Sequence, residues 1–270
     1  MAEDLLWAAE DGLCRAAEDG MCEMVRKYLQ DFPDLDVNSD GRYYGGTALY
    51  RCCSRGHANV LRLLLAHPRV DVNVYDGYGT TALMTACDHG ASEIVGLLLV
   101  DPRLDVKRVD NGMRTALWHA AYKGQVDVVK RLLACERDVG VHCLGWNQNI
   151  RCNISARGVS QSRGHFRVAS LLHCFETQPA VMRLSLQIEL GLPGASAAFL
   201  FAVIVFICDG FLSASAERKT LPARFFAISE NLPMELQMVL SLRAFGLPQM
   251  FVAKGTTELA FRAVVVDLFL

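Results

Sequence analysis

The sequence predicts an all-α solenoid over residues 1–175, built of helix-turn-helix units with extended turns, followed by a helical C-terminal region over 176–270. Three observations predict it: a motif recurring at a fixed spacing, paired apolar stretches of helical period around a glycine in each copy, and charges that thin out along the chain. Residues 1–140 hold 16 Lys/Arg and 21 Asp/Glu, a net −5, whereas 176–270 hold only 7 and 8. An amphipathic N-terminal half therefore precedes a more apolar third, with a boundary between 140 and 180.

The recurring motif aligns three segments without gaps: Gly46-Thr47-Ala48-Leu49 to Gly56-His57, Thr80-Thr81-Ala82-Leu83 to Gly90-Ala91, and Arg114-Thr115-Ala116-Leu117 to Gly124-Gln125. Thr47, Thr81 and Thr115 recur at a constant spacing of 34, and so do Gly56, Gly90 and Gly124. In each unit the threonine suits the N-cap of a short first helix. The glycine suits a left-handed C-cap that turns the chain into a second, leucine-rich helix. Small residues (Ala86, Cys87; Ala120, Ala121) let neighbouring first helices approach closely. Extended runs follow, as in Pro68-Arg69-Val70-Asp71-Val72-Asn73 and Pro102-Arg103-Leu104-Asp105-Val106, with an earlier copy at Pro33-Asp34-Leu35-Asp36-Val37-Asn38. One unit cannot cover its own apolar face, so the units must stack.

These segments resemble ankyrin repeats, whose pattern is G-x-T-P-L-H-x-A-A-x-x-G-H followed by a leucine-rich helix and D-V-N. Alanine stands for the pattern's proline at 48, 82 and 116, and Tyr50, Met84 or Trp118 for its histidine. Upstream, Leu13 to Gly20 with Val25, Tyr28 and Leu29 gives a first unit. The run Ala8-Ala9-Glu10-Asp11-Gly12 recurs as Ala16 to Gly20, so two registers compete there. Downstream, Gly164-His165 with Val168, Leu171 and Leu172 looks like the second half of a fifth unit. Its first half has lost the Thr-Ala-Leu signature, and Gly164 follows Gly124 at a spacing of 40 rather than 34. The reading is about four and a half repeats, the last degenerate.

Hydrophobic residues at 52% and charged residues at 21% exclude a disordered chain, and a net charge of −2 gives no pointer to nucleic acid. The ten cysteines include adjacent Cys52 and Cys53 and form no CxxC, and no basic-then-apolar leader opens the sequence. Reduced core thiols in the cytoplasm, with the nucleus as the alternative, are expected. Leu192 to Leu212 carries one charge, Asp209, and its apolar core runs only from Ala195 to Cys208. That core falls short of the ~20 residues a membrane span needs, so it suits a buried helix better than a membrane anchor. Leu232-Pro233-Met234-Glu235-Leu236 opens a short amphipathic helix that resembles the start of an F-box, with Leu232, Pro233, Glu235 and Leu236 in the adaptor-docking positions.

No HExxH, GxSxG, phosphate-binding loop or GxGxxG occurs, so no catalytic residue and no cofactor are expected. Cys135, His142, Cys143 and Cys152 have spacings that match no zinc motif, and no metal is expected. Binding fits instead. The resemblance implies a concave face formed by turn tips and first-helix ends. By register this face holds Tyr43, Tyr44, Ser54 and Arg55; then Gly77, Tyr78, Thr80, Asp88 and His89; then Asn111, Arg114, Tyr122 and Lys123. Tyrosine and arginine dominate interface hot spots. The expected function is a non-enzymatic module that binds a protein partner. The alternatives are a substrate adaptor of a cullin-type ubiquitin ligase and a membrane-tethered ankyrin protein.

Overall fold

A computed structural model describes residues 2–40, 46–147 and 151–192. The chain divides into two compact bodies, Met1–Glu176 and Thr177–Leu270. In the first, five helix pairs follow one another: α1 (Ala2–Glu18) with α2 (Cys22–Asp31), α3 (Ala48–Arg55) with α4 (Ala58–Leu65), α5 (Ala82–His89) with α6 (Ser92–Val100), α7 (Ala116–Lys123) with α8 (Val126–Ala134), and α9 (Ala156–Ser162) with α10 (Phe166–Thr177). We number these pairs repeats 1 to 5. A two-stranded antiparallel hairpin, β1 (Leu144–Asn147) and β2 (Cys152–Ser155), leads into α9, with Leu144 opposite Ser155. In the second body the described part is α11 (Pro179–Glu189), which opens on a proline in its first turn, where a missing N–H costs nothing.

The expected punctuation is present in atomic detail. Thr47, Thr81 and Thr115 accept hydrogen bonds from the backbone N–H of Tyr50, Met84 and Trp118, capping α3, α5 and α7. Gly56, Gly90 and Gly124 close those helices at φ 80°, 72° and 75°, a left-handed conformation that any Cβ would strain. The first helices stack in one row, α1 on α3, α3 on α5, α5 on α7 and α7 on α9, and α2, α4, α6 and α8 form a second row. Between the rows lies a core of Leu49, Leu61, Leu64, Leu83, Leu98, Leu117 and Leu132, all buried.

Two sequence expectations are refined. Of the two N-terminal registers, the second holds: Gly20 takes the left-handed turn, at φ 73°, while Gly12 lies inside the continuous helix α1. The fifth repeat is also a complete helix pair rather than half of one. Ser155 caps α9 by accepting from Gly158 N–H at 3.2 Å, and it stands nine residues before Gly164, as Thr115 stands nine before Gly124. Both Ser155 and Gly164 lie 40 past their counterparts in the fourth repeat, so the six extra residues fall in the hairpin and leave the helix pair in register.

Repeats are tied by side chains that reach backwards. His57 Nε2 donates to the Glu18 carbonyl at 2.8 Å, and His165 Nε2 donates to the Tyr122 carbonyl at 3.1 Å, each satisfying the end of the preceding first helix. On the other row, Arg69, Arg103 and Arg137, again 34 apart, reach carbonyls of the preceding repeat. Arg69 meets Pro33, Arg103 meets Leu65 and Val70, and Arg137 meets Leu99, Asp101 and Leu104. Asn38 and Asn73 each donate to one backbone carbonyl (Arg69, Arg103) and accept from one N–H (Asp71, Asp105) of the next repeat. The stack is thus fastened by polar ladders on its turns as well as by leucine packing.

Candidate binding face

The turns preceding α5 and α7 project as fingers. Asp76 Oδ1 accepts from the N–H of Tyr78 and Thr80, and Asp110 Oδ1 accepts from the N–H of Gly112 and Arg114, which folds both fingers alike. Adjacent tips are joined by backbone bonds: Asn111 N–H donates to Tyr78 O at 3.0 Å, and Trp146 N–H to Gly112 O at 2.8 Å. This ladder holds out large apolar side chains on the two fingertips and on strand β1 beside them. Tyr78 is 77% exposed, Met113 61% and Trp146 43%. Of these, the sequence reading identified only Tyr78.

Behind the fingers, the first helices bring polar side chains into rows that cross from repeat to repeat. Glu18 binds both Arg51 (3.3 Å) and Arg55 (2.6 Å) of repeat 2. Asp88 meets His119 Nδ1 (3.2 Å) and Lys123 (3.3 Å) of repeat 4, and His119 Nε2 meets Asp110 Oδ2 at 3.1 Å. Asp110 also takes two bonds from Arg114, at 2.8 Å each. A carboxylate on each ring nitrogen favours the protonated form of His119. Burial opposes that charge, but the hydrogen bonds from Asp110 and Asp88 outweigh it and raise the ring's pKa above its ordinary value. Burial likewise opposes ionisation of Asp88 and Asp110, and their bonds to His119 outweigh it, so both pKa values are lowered.

At the junction of repeats 4 and 5 aromatic rings replace the charges. Trp118 and Tyr122 stack at 5.2 Å, Arg114 lies 5.5 Å from the Trp118 ring, and Arg163 lies 4.5 Å from the Tyr122 ring. Trp118 Nε1 donates to Ile154 O at 3.0 Å, tying the hairpin down. Gly145 permits this closeness, since a Cβ there would stand 2.6 Å from Arg114 Cγ and 3.0 Å from the indole.

The remaining sequence candidates sort as follows. Arg55, His89 and Lys123 are exposed in the last turns of α3, α5 and α7. His89 Nδ1 donates to Thr85 O of its own helix, and Tyr122 is half-buried in the aromatic stack. Tyr43, Tyr44, Leu232, Pro233, Glu235 and Leu236 lie outside the described residues, as does Leu192–Leu212 beyond its first residue. Sequence reading did not single out His119, Met113, Trp146 or Arg163. The register positions of His119 and Arg163, at Thr85 + 34 and Lys123 + 40, were the signal that could have found them.

Among the described residues, no helix is long and apolar enough to cross a membrane. No group of three His, Cys, Asp or Glu among them could hold a metal ion. None of the nine described cysteines is in a disulfide. Cys14, Cys52, Cys53 and Cys87 are buried, and burial pushes the Cys14 thiol up to about 11.

Comparison with known families matches residues 13–110 to ankyrin repeats in three copies and residues 113–143 to a further ankyrin repeat. These segments are therefore ankyrin repeats, a non-enzymatic fold for protein–protein interaction. No curated protein matches the chain.

Proposed function

We propose that this protein grips a protein partner through the side formed by its fingertips and first helices, as a binding module without catalytic chemistry. The observation that carries the reading is the exposure of Tyr78 and Met113 on consecutive fingertips and of Trp146 on the strand hydrogen-bonded to the second. Large apolar side chains displayed on a rigid scaffold cost little ordering entropy when covered. They also mark interaction sites more often than scattered surface residues do. The concave surface that ankyrin arrays present agrees with this side. Reduced thiols in the core support action in a reducing compartment such as the cytoplasm.

The test is affinity capture of partners by the full chain, with Tyr78→Ala, Met113→Ala and Trp146→Ala combined. None of the three belongs to the buried leucine core, so thermal stability should hold while captured partners are lost. Retention of the same partners by this variant, with loss on Arg62→Ala in α4, would move the binding surface to the second-helix row.

A further inference from the structure

One register position, immediately before the turn glycine, carries a basic residue type in four of the five repeats. It falls in the last turn of α3, α5 and α7 and at the C-cap of α9. Arg55, His89, Lys123 and Arg163 occupy it in repeats 2 to 5, and all four are exposed. In repeat 1 the place belongs to Asp19, so the strip begins at repeat 2. Because α3, α5, α7 and α9 pack in succession, the four positions form a line across the stack. A cation at a helix C-terminus complements the helix dipole, which accounts for each residue singly.

The dipole does not account for the row behind it. Arg51 and Thr85, one helical turn earlier in α3 and α5, are more than nine-tenths buried. Arg51 Nη2 and Thr85 Oγ1 have no hydrogen-bond partner among the described residues. A buried donor left unmade costs stability, so both atoms call for an acceptor. The junctions explain the gap at Thr85. Glu18 supplies carboxylate oxygens between repeats 1 and 2, and Asp88 does so between repeats 3 and 4. The equivalent residue between repeats 2 and 3 is Ser54, whose hydroxyl is spent on Arg51 O. Each carboxylate present serves two cations, and Arg163 meets a ring rather than an acid. Local positive charge is therefore left over on a domain that is acidic as a whole.

We infer that the strip takes an acidic, extended segment of the protein partner, with its carboxylates along the exposed Arg55, Lys123 and Arg163. This rests on the proposed binding side and adds the chemistry of what binds there. The spacing follows from geometry. Packed helices lie about 8–10 Å apart, and a partner segment in polyproline II conformation advances about 3.1 Å per residue with about three residues per turn. About three residues therefore bridge neighbouring repeats, and every third side chain returns to the same face. The recognised pattern is Asp or Glu at every third position. Since residues 1–140 carry net −5, recognition acts at contact range rather than by long-range steering.

Three labelled peptides of equal length test this against the full chain by fluorescence anisotropy: glutamate at every third position, the same composition with glutamates clustered, and glutamine in their place. The first should bind about tenfold more tightly than the other two and weaken as salt rises past about 0.3 M. Lys123→Gln with Arg163→Gln should erase the preference, and Arg62→Gln on the second-helix row should not. Equal affinity for the three peptides, binding indifferent to salt, or no binding of the first peptide overturns the inference. If the fingertip substitutions still release captured partners while the acidic peptide fails, the binding side stands and only its acidic specificity falls.

Discussion

The junction between repeats 3 and 4 and the junction between repeats 4 and 5 use the same register positions for opposite chemistry. At the first, Asp88 faces His119 and Lys123, and charge holds the repeats together. At the second, Tyr122 takes the place of Asp88 and Arg163 that of Lys123, and a stack running from Arg114 through Trp118 and Tyr122 to Arg163 does the holding. What stays fixed across both is the scaffold: an N-cap hydroxyl, a left-handed glycine nine residues later, and a side chain reaching back to the preceding helix end. The repeat thus separates positions that make the fold from positions that are chemically interchangeable, and the latter line one side.

Breaking the aromatic junction should have the largest effect. Trp118 is buried, stacked and hydrogen-bonded, so Trp118→Ala should lower unfolding free energy in urea by about 3–5 kcal/mol, with the hairpin and α9 losing hydrogen-exchange protection first. The charged junction should come next. Asp110→Ala removes the shared partner of His119 and Arg114, and stranding buried charge costs about 3 kcal/mol.

The charged junction should respond to pH near neutrality. The His119 pKa is raised on folding, so its contribution is complete below about pH 6.5 and is lost as pH rises through the folded value. The pKa values of Asp88 and Asp110 are lowered, so their contributions are present above about pH 4 and are lost as pH falls through the folded values. The contribution of this network should peak between these limits, with an alkaline slope no steeper than about 1.4 kcal/mol per pH unit for one proton. His119→Gln should flatten the alkaline limb, as read from urea titrations across pH.

Smaller changes sharpen the contrast. Ser155→Ala removes the N-cap of α9 and should cost about 1 kcal/mol, matching Thr115→Ala on α7 if the fifth repeat is built like the fourth. Arg163→Ala, which loses one exposed cation–π contact, should cost about 0.5–1 kcal/mol in the same assay.

Much of the scaffold was legible because backbone geometry allows few residues at its special positions: threonine at 47, 81 and 115, glycine at 56, 90 and 124. The fifth repeat was legible only in part, because serine does the work of threonine at 155 and the hairpin displaces it by six positions. Periodicity analysis loses a copy when an insertion shifts its phase. The arginines at 69, 103 and 137 kept the spacing of 34 but sat in loops, where hydropathy gives no reason to look. The site was less legible still. Arg55, His89 and Lys123 follow from register, but the pairing of His119 with two aspartates joins residues 31 and 9 positions apart through packing that composition does not reveal. Met113 and Trp146 are of residue types usually found inside, and only the folded turn and strand leave them outward.

The central claim is that a partner covers the fingertip and first-helix side. Photo-cross-linking tests it most directly, with benzoylphenylalanine placed at Tyr78 on a fingertip or at Arg62 on the second-helix row. The account predicts a cross-linked protein adduct from position 78 that free partner competes away, and none from position 62. An adduct from position 62 with none from position 78 would contradict it.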